Sequence, residues 1–301
     1  MASKNELAGH AACFVAYAIF GVNIITTKDL TSSHQLSPLA IFCLRSLGAG
    51  MLFWIISLFR PAEKVARRDY PKILLASFLG FFLTQMTFLV ASPMITPMSW
   101  SIISSVTPIF TMIIAAVALR EPITGKKAGG VLLSFAGIVF LILTSKTSSS
   151  GPESSSVTGY VLALLNGLSF SLYLGIFRPV IERYSVVTFM KWIFLFAFLM
   201  CVPFAAAEVV TFDFVNAGGS FLLELGYLIV FATFISYFLI PVGQKNIRPT
   251  LVSLYSYLQP IIAIAISICI GMDTLSWSKI LAAMAVLGGV LLVNYSKRAA
   301  A

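Results

Sequence analysis

The sequence predicts an all-α, polytopic membrane protein in which ten transmembrane helices form two inverted five-helix repeats. Three observations predict this fold: the composition, the length of the apolar runs and the placement of the cations. Of the 301 residues, 59% are hydrophobic and 10% are charged, whereas a soluble domain has about 25% charged residues. The formal net charge of +9 is spread thinly between apolar runs. The composition therefore excludes a soluble enzyme and a nucleic-acid-binding protein.

Ten apolar runs are long enough to cross a bilayer. A hydrocarbon core of about 30 Å requires about 20 residues of helix, and helices are required because lipid offers no partner to free backbone groups. The first run lacks a cleavage site and is followed by more runs, so we expect a span rather than a removed signal peptide. The predicted spans are residues 8–27, 38–59, 73–92, 98–119, 128–144, 159–177, 187–207, 225–242, 251–271 and 277–295.

The Lys and Arg residues indicate the orientation. With the N-terminus in the cytoplasm, 15 of the 20 cations fall in cytoplasmic segments and three in external ones. Cytoplasmic loops carry an excess of Lys and Arg, so both termini are predicted to be cytoplasmic. The two remaining cations, Arg45 and Lys191, lie within predicted spans.

A Ser-rich segment divides the chain into two similar halves. Residues 146–157 read KTSSSGPESSSV, which is typical of a flexible linker, so the predicted units are residues 1–145 and 158–301. A shift of 152 residues aligns Pro97 with Pro249, Ser101 with Ser253, Ser104 with Ser256 and Pro108 with Pro260. Because each half has an odd number of spans, the second half must cross the membrane in the opposite sense. Inverted repeats of this kind are typical of secondary transporters.

Several segments resemble a known family. They are AYAIFGVNIITT in the first span, SSVTPIFTMIIAAVALREPIT at the end of the fourth and GVLLSFAGIVFLIL in the fifth. These segments are similar to those of the EamA-type ten-helix transporters of the drug/metabolite transporter superfamily, and the resemblance covers nearly the whole chain. It implies secondary transport by alternating access, with substrates that range from amino acids to sugars and nucleotide derivatives.

Polar, charged and aromatic side chains within the spans are the candidates for substrate binding. Serines at i and i+3 lie on one helix face, amides are costly in hydrocarbon unless satisfied, and intramembrane cations are functional by default. The predicted substrate-binding residues are Asn23, Arg45, Gln85, Trp100, Ser101, Ser104, Asn166, Tyr173, Lys191, Tyr237, Ser253, Ser256 and Tyr257. Pro108 and Pro260 are predicted hinges, because proline removes a backbone hydrogen bond.

Each candidate also has a structural interpretation, which the sequence leaves open. Small hydroxyl residues allow close helix packing, amides can bond a neighbouring helix, and aromatic residues often pack or anchor at the membrane interface. Arg45 can meet a substrate carboxylate or phosphate, or bond backbone carbonyls instead. Lys191 can extend its amine to the cytoplasmic surface.

The sequence therefore predicts a secondary transporter of a small organic metabolite, amphipathic or amino-acid-like, in the inner (cytoplasmic) membrane. The alternative is a membrane-embedded enzyme acting on lipid, although His10 and His34 are isolated and no HExxH motif occurs. No cofactor or metal is predicted, since the cysteines lie in apolar runs without metal-ligand spacing. The predicted partners are a small-molecule substrate and the lipid bilayer, not nucleic acid, and the chain is expected to be a monomer or a homodimer.

Overall fold

The computed structural model is helical throughout the part of the chain that it describes. The described residues are 4–33, 35–119, 125–147, 156–247, 252, 255–271 and 276–295. Their main helices are α1 (Lys4–Ser32), α2 (Pro38–Leu58), α3 (Arg67–Met94), α4 (Pro97–Ser104 and Thr107–Leu119), α5 (Gly125–Thr147), α6 (Val157–Ile176), α7 (Val186–Thr211), α8 (Gly219–Asn246), α9 (Tyr255–Cys269) and α10 (Trp277–Tyr295). A short helix, Arg178–Arg183, links α6 to α7.

Each predicted span coincides with one of these helices, which confirms the all-α polytopic fold. Six of them, α1, α2, α3, α6, α7 and α8, are long and apolar enough to cross a membrane, and α5, α9 and α10 contain shorter apolar stretches. Some ends differ from the prediction. The helix α8 begins at Gly219 rather than at Leu225, because the backbone is already helical in the six residues before the predicted start of the span.

Two helices contain π-helical segments at equivalent places in the two halves. These segments are Phe78–Leu83 in α3 and Leu228–Ile235 in α8. A π turn leaves a carbonyl without its usual partner, and here a threonine hydroxyl from five residues further along the chain satisfies it. Thr84 donates to the Leu79 carbonyl at 2.7 Å and Thr233 donates to the Leu228 carbonyl at 2.6 Å.

Most helices of each half pack against helices of the other half, and the contacts occur in equivalent pairs. The first-half helix α1 packs on α8 and α9 of the second half, and the second-half helix α6 packs on α3 and α4 of the first half. The helix α2 packs on α7, and α5 packs on α10. Each contact therefore has a counterpart in which every helix is replaced by its equivalent in the other half, as an approximate two-fold axis requires.

Individual residues obey the same relation at opposite ends of the bundle. Gly9 of α1 lies against Asn246 and Ile247, and Gly159 of α6 lies against Met94 and Ile95. We call the end that carries Gly9 the N-terminal face, and the end that carries Gly159 the linker face. Equivalent contacts therefore occur on opposite faces, and the two repeats are inverted relative to each other.

Matching hydrogen bonds join the halves on both faces. On the linker face, Ser37 at the start of α2 donates its backbone N–H and its hydroxyl to Glu208 of α7, at 2.6 and 2.5 Å. On the N-terminal face, Ser185 at the start of α7 donates the same two groups to Glu63. Each serine also caps its own helix, so each glutamate holds a helix start of the other half in place.

Many large apolar side chains on the outer surface are exposed. Phe204, Val210 and Leu58 are each at least 78% exposed. Apolar side chains pointing outwards are unfavourable in water and favourable in lipid. The interior instead holds aromatic contacts between helices of both halves, such as Phe53 with Phe194 and Phe81 with Tyr237.

Candidate functional site

A central cavity lies between the two halves. The space between its side chains is about 580 Å³, a figure that includes its open mouth. Helices from both halves line it: α1, α3 and α4 on one side, and α6, α8 and α9 on the other. The lining residues are Tyr17, Phe20, Asn23, Ile24, Thr84, Gln85, Phe88, Trp100, Ser104, Thr107, Asn166, Phe170, Tyr237, Ser256 and Gln259.

Hydrogen bonds between the lining residues hold the polar wall in shape. The Gln85 amide donates to the Tyr237 hydroxyl at 2.7 Å, which joins α3 to α8. Gln85 and Tyr237 are 152 residues apart, so they are equivalent positions and lie next to the axis between the halves. The Asn166 amide donates to the Thr84 carbonyl at 2.5 Å, and Asn23 accepts from the Thr27 hydroxyl at 3.1 Å.

Aromatic rings form the rest of the wall. The Phe88 and Trp100 rings are 4.8 Å apart, and Phe20 lies edge-on to Tyr237 at 5.9 Å. Phe170 stacks on Tyr173, which itself lies behind the wall. A wall of rings with a few amides and hydroxyls is suited to a small molecule that has one apolar part and one polar part.

The structure brings seven of the predicted substrate-binding residues together in this cavity. They are Asn23, Gln85, Trp100, Ser104, Asn166, Tyr237 and Ser256. Their shared position fits the prediction, and their contact with a substrate stays a prediction. Ser253 lies outside the described residues.

Three other predicted residues are close to the cavity without lining it. Ser101 is fully buried, and its hydroxyl has no partner. Tyr173 packs against Gly80, and Tyr257 is partly buried. The tyrosine hydroxyls also lack partners. None of the three is among the residues that line the cavity.

The two intramembrane cations have different surroundings. Arg45 is fully buried and donates from Nε to the Thr233 hydroxyl at 2.8 Å. Lys191 is far from the cavity, since its amine lies 4.8 Å from the centre of the Trp54 ring and 3.4 Å from the Ser57 hydroxyl. Its position towards the end of α2 fits the surface-directed interpretation.

The predicted hinge prolines lie beside breaks in their helices. In α4 the regular helix stops at Ser104 and restarts at Thr107, next to Pro108. The helix α9 begins as a tight turn, Tyr255–Tyr257, and becomes regular just before Pro260. Both breaks lie at the level of the cavity, since Ser104 and Ser256 line it. A movement at either proline remains a prediction.

Sequence reasoning missed several lining residues, most clearly Thr107 and Gln259. They occupy equivalent positions immediately before the two prolines, where the helix break turns them towards the cavity. The polar character of Gln259 in an apolar span, together with its matching residue, is the signal that was present. Tyr17, Phe20, Phe88 and Phe170 also line the cavity, but from the sequence alone they are not distinguishable from ordinary packing residues.

A second, smaller cavity continues from the central one towards the linker face. It shares Ile24, Phe88 and Trp100 with the central cavity and reaches Lys28 and Ser92. The Lys28 amine donates to the Pro93 and Ile95 carbonyls, both at 3.1 Å, and so lies on the loop between α3 and α4. We call this space the linker-face vestibule.

The equivalent positions near the N-terminal face are packed. The counterparts of Ile24, Phe88, Ser92 and Trp100 are Leu174, Ile240, Gln244 and Val252. Both sets are buried, at 3–5% exposure for the first four and 0–1% for their counterparts. The two halves are therefore alike in sequence position, and the linker-face set is packed slightly less tightly around a small cavity.

On the N-terminal face, charged groups reinforce the closed packing. Arg183 and Tyr184, between α6 and α7, both donate to Asp69 at the start of α3, and the Lys245 amine donates to the Tyr184 carbonyl. Burial acts to raise the pKa of Glu63, but hydrogen bonds from Ser185 and Thr188 and the charge of Lys245 together outweigh it, and the net pKa is below the ordinary value. This carboxylate is therefore charged at neutral pH.

The arrangement of membrane-crossing helices around a polar central cavity defines a class of protein, the membrane transporters. The chain belongs to the EamA-like transporter family, which matches residues 7–143 and 157–295. The uncharacterized transporter YetK of Bacillus subtilis is 24% identical over 302 residues, which cover 98% of this chain and 89% of YetK. The uncharacterized inner membrane transporter YicL of Salmonella typhimurium is 23% identical and is covered to 94%, as is this chain.

The fold is also similar to that of a solved protein. A crystal structure aligns with all of this chain and all of its own chain, with a TM-score of 0.65 at 17% sequence identity. At this identity the likeness shows the fold alone. The chain is accordingly a multi-pass membrane transporter of the EamA-like family.

Proposed function

We propose that this protein is a secondary transporter that moves a small organic metabolite, amphipathic or amino-acid-like, by alternating access. The observation that carries the proposal is the central cavity between two inverted halves, with a wall that combines rings and amides. In such carriers, the related halves rock around a fixed central site. The moving units are then residues 1–145 and 158–301, joined by the linker 146–157.

The unequal packing of the two faces supports this mechanism. The smaller cavity reaches Ser92, which is 5% exposed near the linker face, whereas the equivalent Gln244 is 0% exposed near the N-terminal face. Because the halves share one fold, a second conformation with the two packings exchanged is expected. We propose that the structure is a state in which the linker face is the less tightly closed of the two, and that exchange of the packings carries the substrate across.

The cation distribution and the relatives support the proposed location. The N-terminal face collects the predicted cytoplasmic cations, and YicL is named as an inner membrane transporter. We propose that the chain lies in the inner membrane with both termini in the cytoplasm, so the linker face is external. The relatives are named as transporters, which favours transport over lipid chemistry.

Counterflow in proteoliposomes tests the proposed function. Vesicles containing the purified protein are loaded with one unlabelled candidate metabolite at a time and are then diluted into the same compound in labelled form. A carrier accumulates the label transiently inside the vesicles, because its binding site returns to the outside loaded with unlabelled substrate and does not return empty. A channel or an enzyme shows no such stimulation by internal substrate, and its absence for every amino acid and related amphipathic compound tested would contradict the proposal.

A further inference from the structure

Arg45 is a buried cation without a counter-ion. Its side chain is fully buried, and only Nε has a partner, the Thr233 hydroxyl. Both terminal guanidinium nitrogens are buried without any hydrogen-bond partner. Among the described residues, no carboxylate forms an ion pair with it. A buried charge left in this condition is costly, and in a membrane protein such a residue is usually functional.

The arginine lies directly behind one corner of the cavity. Thr233 is one helical turn before Tyr237 on α8, and Tyr237 lines the cavity. Arg45 and Tyr17 are both close enough to Tyr237 to interact with it electrostatically. Tyr17, Gln85 and Tyr237 therefore form one polar corner, which we call the tyrosine corner, with the Arg45 charge behind it.

The tyrosine corner has more hydrogen-bond donors than acceptors. The Tyr17 hydroxyl and the two Arg45 nitrogens have no acceptor, and the Tyr237 hydroxyl accepts from Gln85 with its own proton still available. Among the described groups of the corner, the amide oxygen of Gln85 is an acceptor left without a partner. If the oxygen and nitrogen of that amide are exchanged, the Tyr237 hydroxyl donates to the amide oxygen, and the amide N–H groups become the unpaired donors. Both assignments leave unpaired donors and no negative charge in the corner.

The internal repeat does not reproduce this corner on the other side of the axis. The first-half residue equivalent to Thr233 is Phe81, which packs against Phe194 at 4.5 Å and against Tyr237 at 4.9 Å. The positive charge is therefore a feature of one side of the cavity only. An asymmetric site of this kind can orient a substrate whose two ends differ.

We propose that the cavity binds a metabolite with a carboxylate group, and that the carboxylate lies in the tyrosine corner as the missing counter-ion of Arg45. This proposal rests on the proposed transport function and specifies its substrate class. The Tyr17 and Tyr237 hydroxyls donate to the carboxylate, and Arg45 acts from behind them as a positioning residue that makes the corner electropositive. The apolar end of the metabolite then lies among Phe20, Phe88 and Phe170.

Matched acids and amides in the counterflow assay test this substrate class. The probes are L-leucine and L-phenylalanine, each compared with its own amide, which keeps the shape and the amino group but has no negative charge. We expect the wild type to exchange the acids at least about tenfold faster than the amides, since a tenfold preference corresponds to about 1.4 kcal/mol of differential binding.

Three variants separate the role of the charge from a structural role. Arg45→Gln should reduce the preference for acids to within about twofold, and Arg45→Lys should restore much of it. Tyr17→Phe is the second probe, because the hydroxyl that it deletes has no partner in the protein and the fold does not depend on it. It should slow exchange of the acids several-fold while the amides are unaffected. The matched control is Arg178→Gln, which removes an arginine paired with Glu182 away from the cavity.

Each result decides between definite alternatives. Equal exchange of acids and amides by the wild type would overturn the carboxylate class and leave the carrier function intact. Exchange of neither would contradict both the class and the proposed amino-acid-like cargo. A full preference for acids in folded Arg45→Gln and Tyr17→Phe would overturn the assignment of the tyrosine corner, with folding checked by the melting temperature in detergent.

Discussion

Single glycines determine how closely the two halves approach. Gly80, in the π segment of α3, lies against the ring of Tyr173 on α6, and a Cβ placed on it would be 2.3 Å from that ring. We predict that Gly80→Ala destabilises the protein by about 1–3 kcal/mol, because the ring has to move within a packed interior. Unfolding in mixed detergent, followed by circular dichroism, measures the effect.

Gly226 is the matched control for this substitution. It also lies in a helix that leads into a π segment, and no atom lies within 4 Å of the Cβ that alanine would add. Gly226→Ala should be neutral or stabilising by up to about 1 kcal/mol. Equal destabilisation by both substitutions would contradict the packing argument.

The carboxylate of Glu63 makes the stability depend on pH. Its pKa is lowered in the folded protein, because hydrogen bonds from Ser185 and Thr188 and the charge of Lys245 together outweigh the opposing effect of burial. The stabilisation is therefore present above the ordinary pKa of 4.5 and is lost as the pH falls through the lowered value. We predict that the melting temperature of wild type falls below pH 4.5 more steeply than that of Glu63→Gln.

A matched comparison for this prediction is Asp213→Asn, which affects a carboxylate that bonds only within its own loop. Loss of the Glu63 carboxylate removes a contact between the halves, whereas loss of the Asp213 carboxylate does not. Identical melting curves for wild type and Glu63→Gln between pH 3 and pH 7 would show that the contact with Ser185 contributes nothing.

At the scale of helices, the breaks in α4 and α9 are the expected points of bending. Pro108 is in the first turn of the second piece of α4 and has no N–H to donate to the carbonyl of Ser104, four residues earlier. We predict that Pro108→Ala lowers the maximal rate of counterflow about tenfold or more. The substrate concentration at half-maximal rate should change little, because the cavity wall keeps its side chains.

Pro203 provides the control for this prediction, since it lies inside α7 and away from the cavity. Pro203→Ala should leave the maximal rate unchanged and stabilise the helix. A Pro108→Ala protein that transports at the rate of wild type would remove the hinge role from this proline.

The helices themselves were predictable from the sequence, but their irregularities were not. Long apolar runs predict all ten helices, because a bilayer requires both length and hydrophobicity. The π segments in α3 and α8 depend on which carbonyls receive a hydroxyl from Thr84 or Thr233. Such a bond competes with regular helical bonding through small energy differences, which a pattern of apolar residues does not reveal.

For the whole molecule, alternating access predicts opposite accessibility at Ser92 and Gln244. In a background without the native cysteines, Ser92→Cys should react with a membrane-impermeant thiol reagent added outside the cell, and Gln244→Cys should not react from the cytoplasmic side. A transported substrate should slow labelling at position 92 and speed labelling at position 244, since it populates the exchanged packing. Labelling rates measured in intact cells and in inverted vesicles test this.

Cysteine at Ala205, buried in α7 away from the vestibule, is the control and should not react in either preparation. Fast labelling of Gln244→Cys from the cytoplasmic side without substrate would contradict the proposed state of the structure. If no transported compound changes the labelling rate at position 92 or position 244, the proposed exchange of packings is contradicted.

The sequence by itself determined the number of helices, the two repeats, their opposite directions and the family. These features follow from composition, length and charge placement, which are properties of the chain that need no knowledge of contacts. It also identified seven of the residues that line the cavity, because polar side chains in apolar helices are costly when they face lipid and therefore tend to face a cavity or another helix.

Only the tertiary structure decided which of those polar residues share one wall and which face is open. Arg45 and Lys191 are alike in sequence as intramembrane cations, yet one lies behind the tyrosine corner and the other near the N-terminal face. Ser92 and Gln244 are equivalent by repeat and both are buried, yet Ser92 borders the linker-face vestibule and Gln244 is completely enclosed. The reason is that helix rotation and the packing between halves depend on many small contacts at once. Whether a segment enters the membrane depends mainly on one large contribution, the hydrophobic effect.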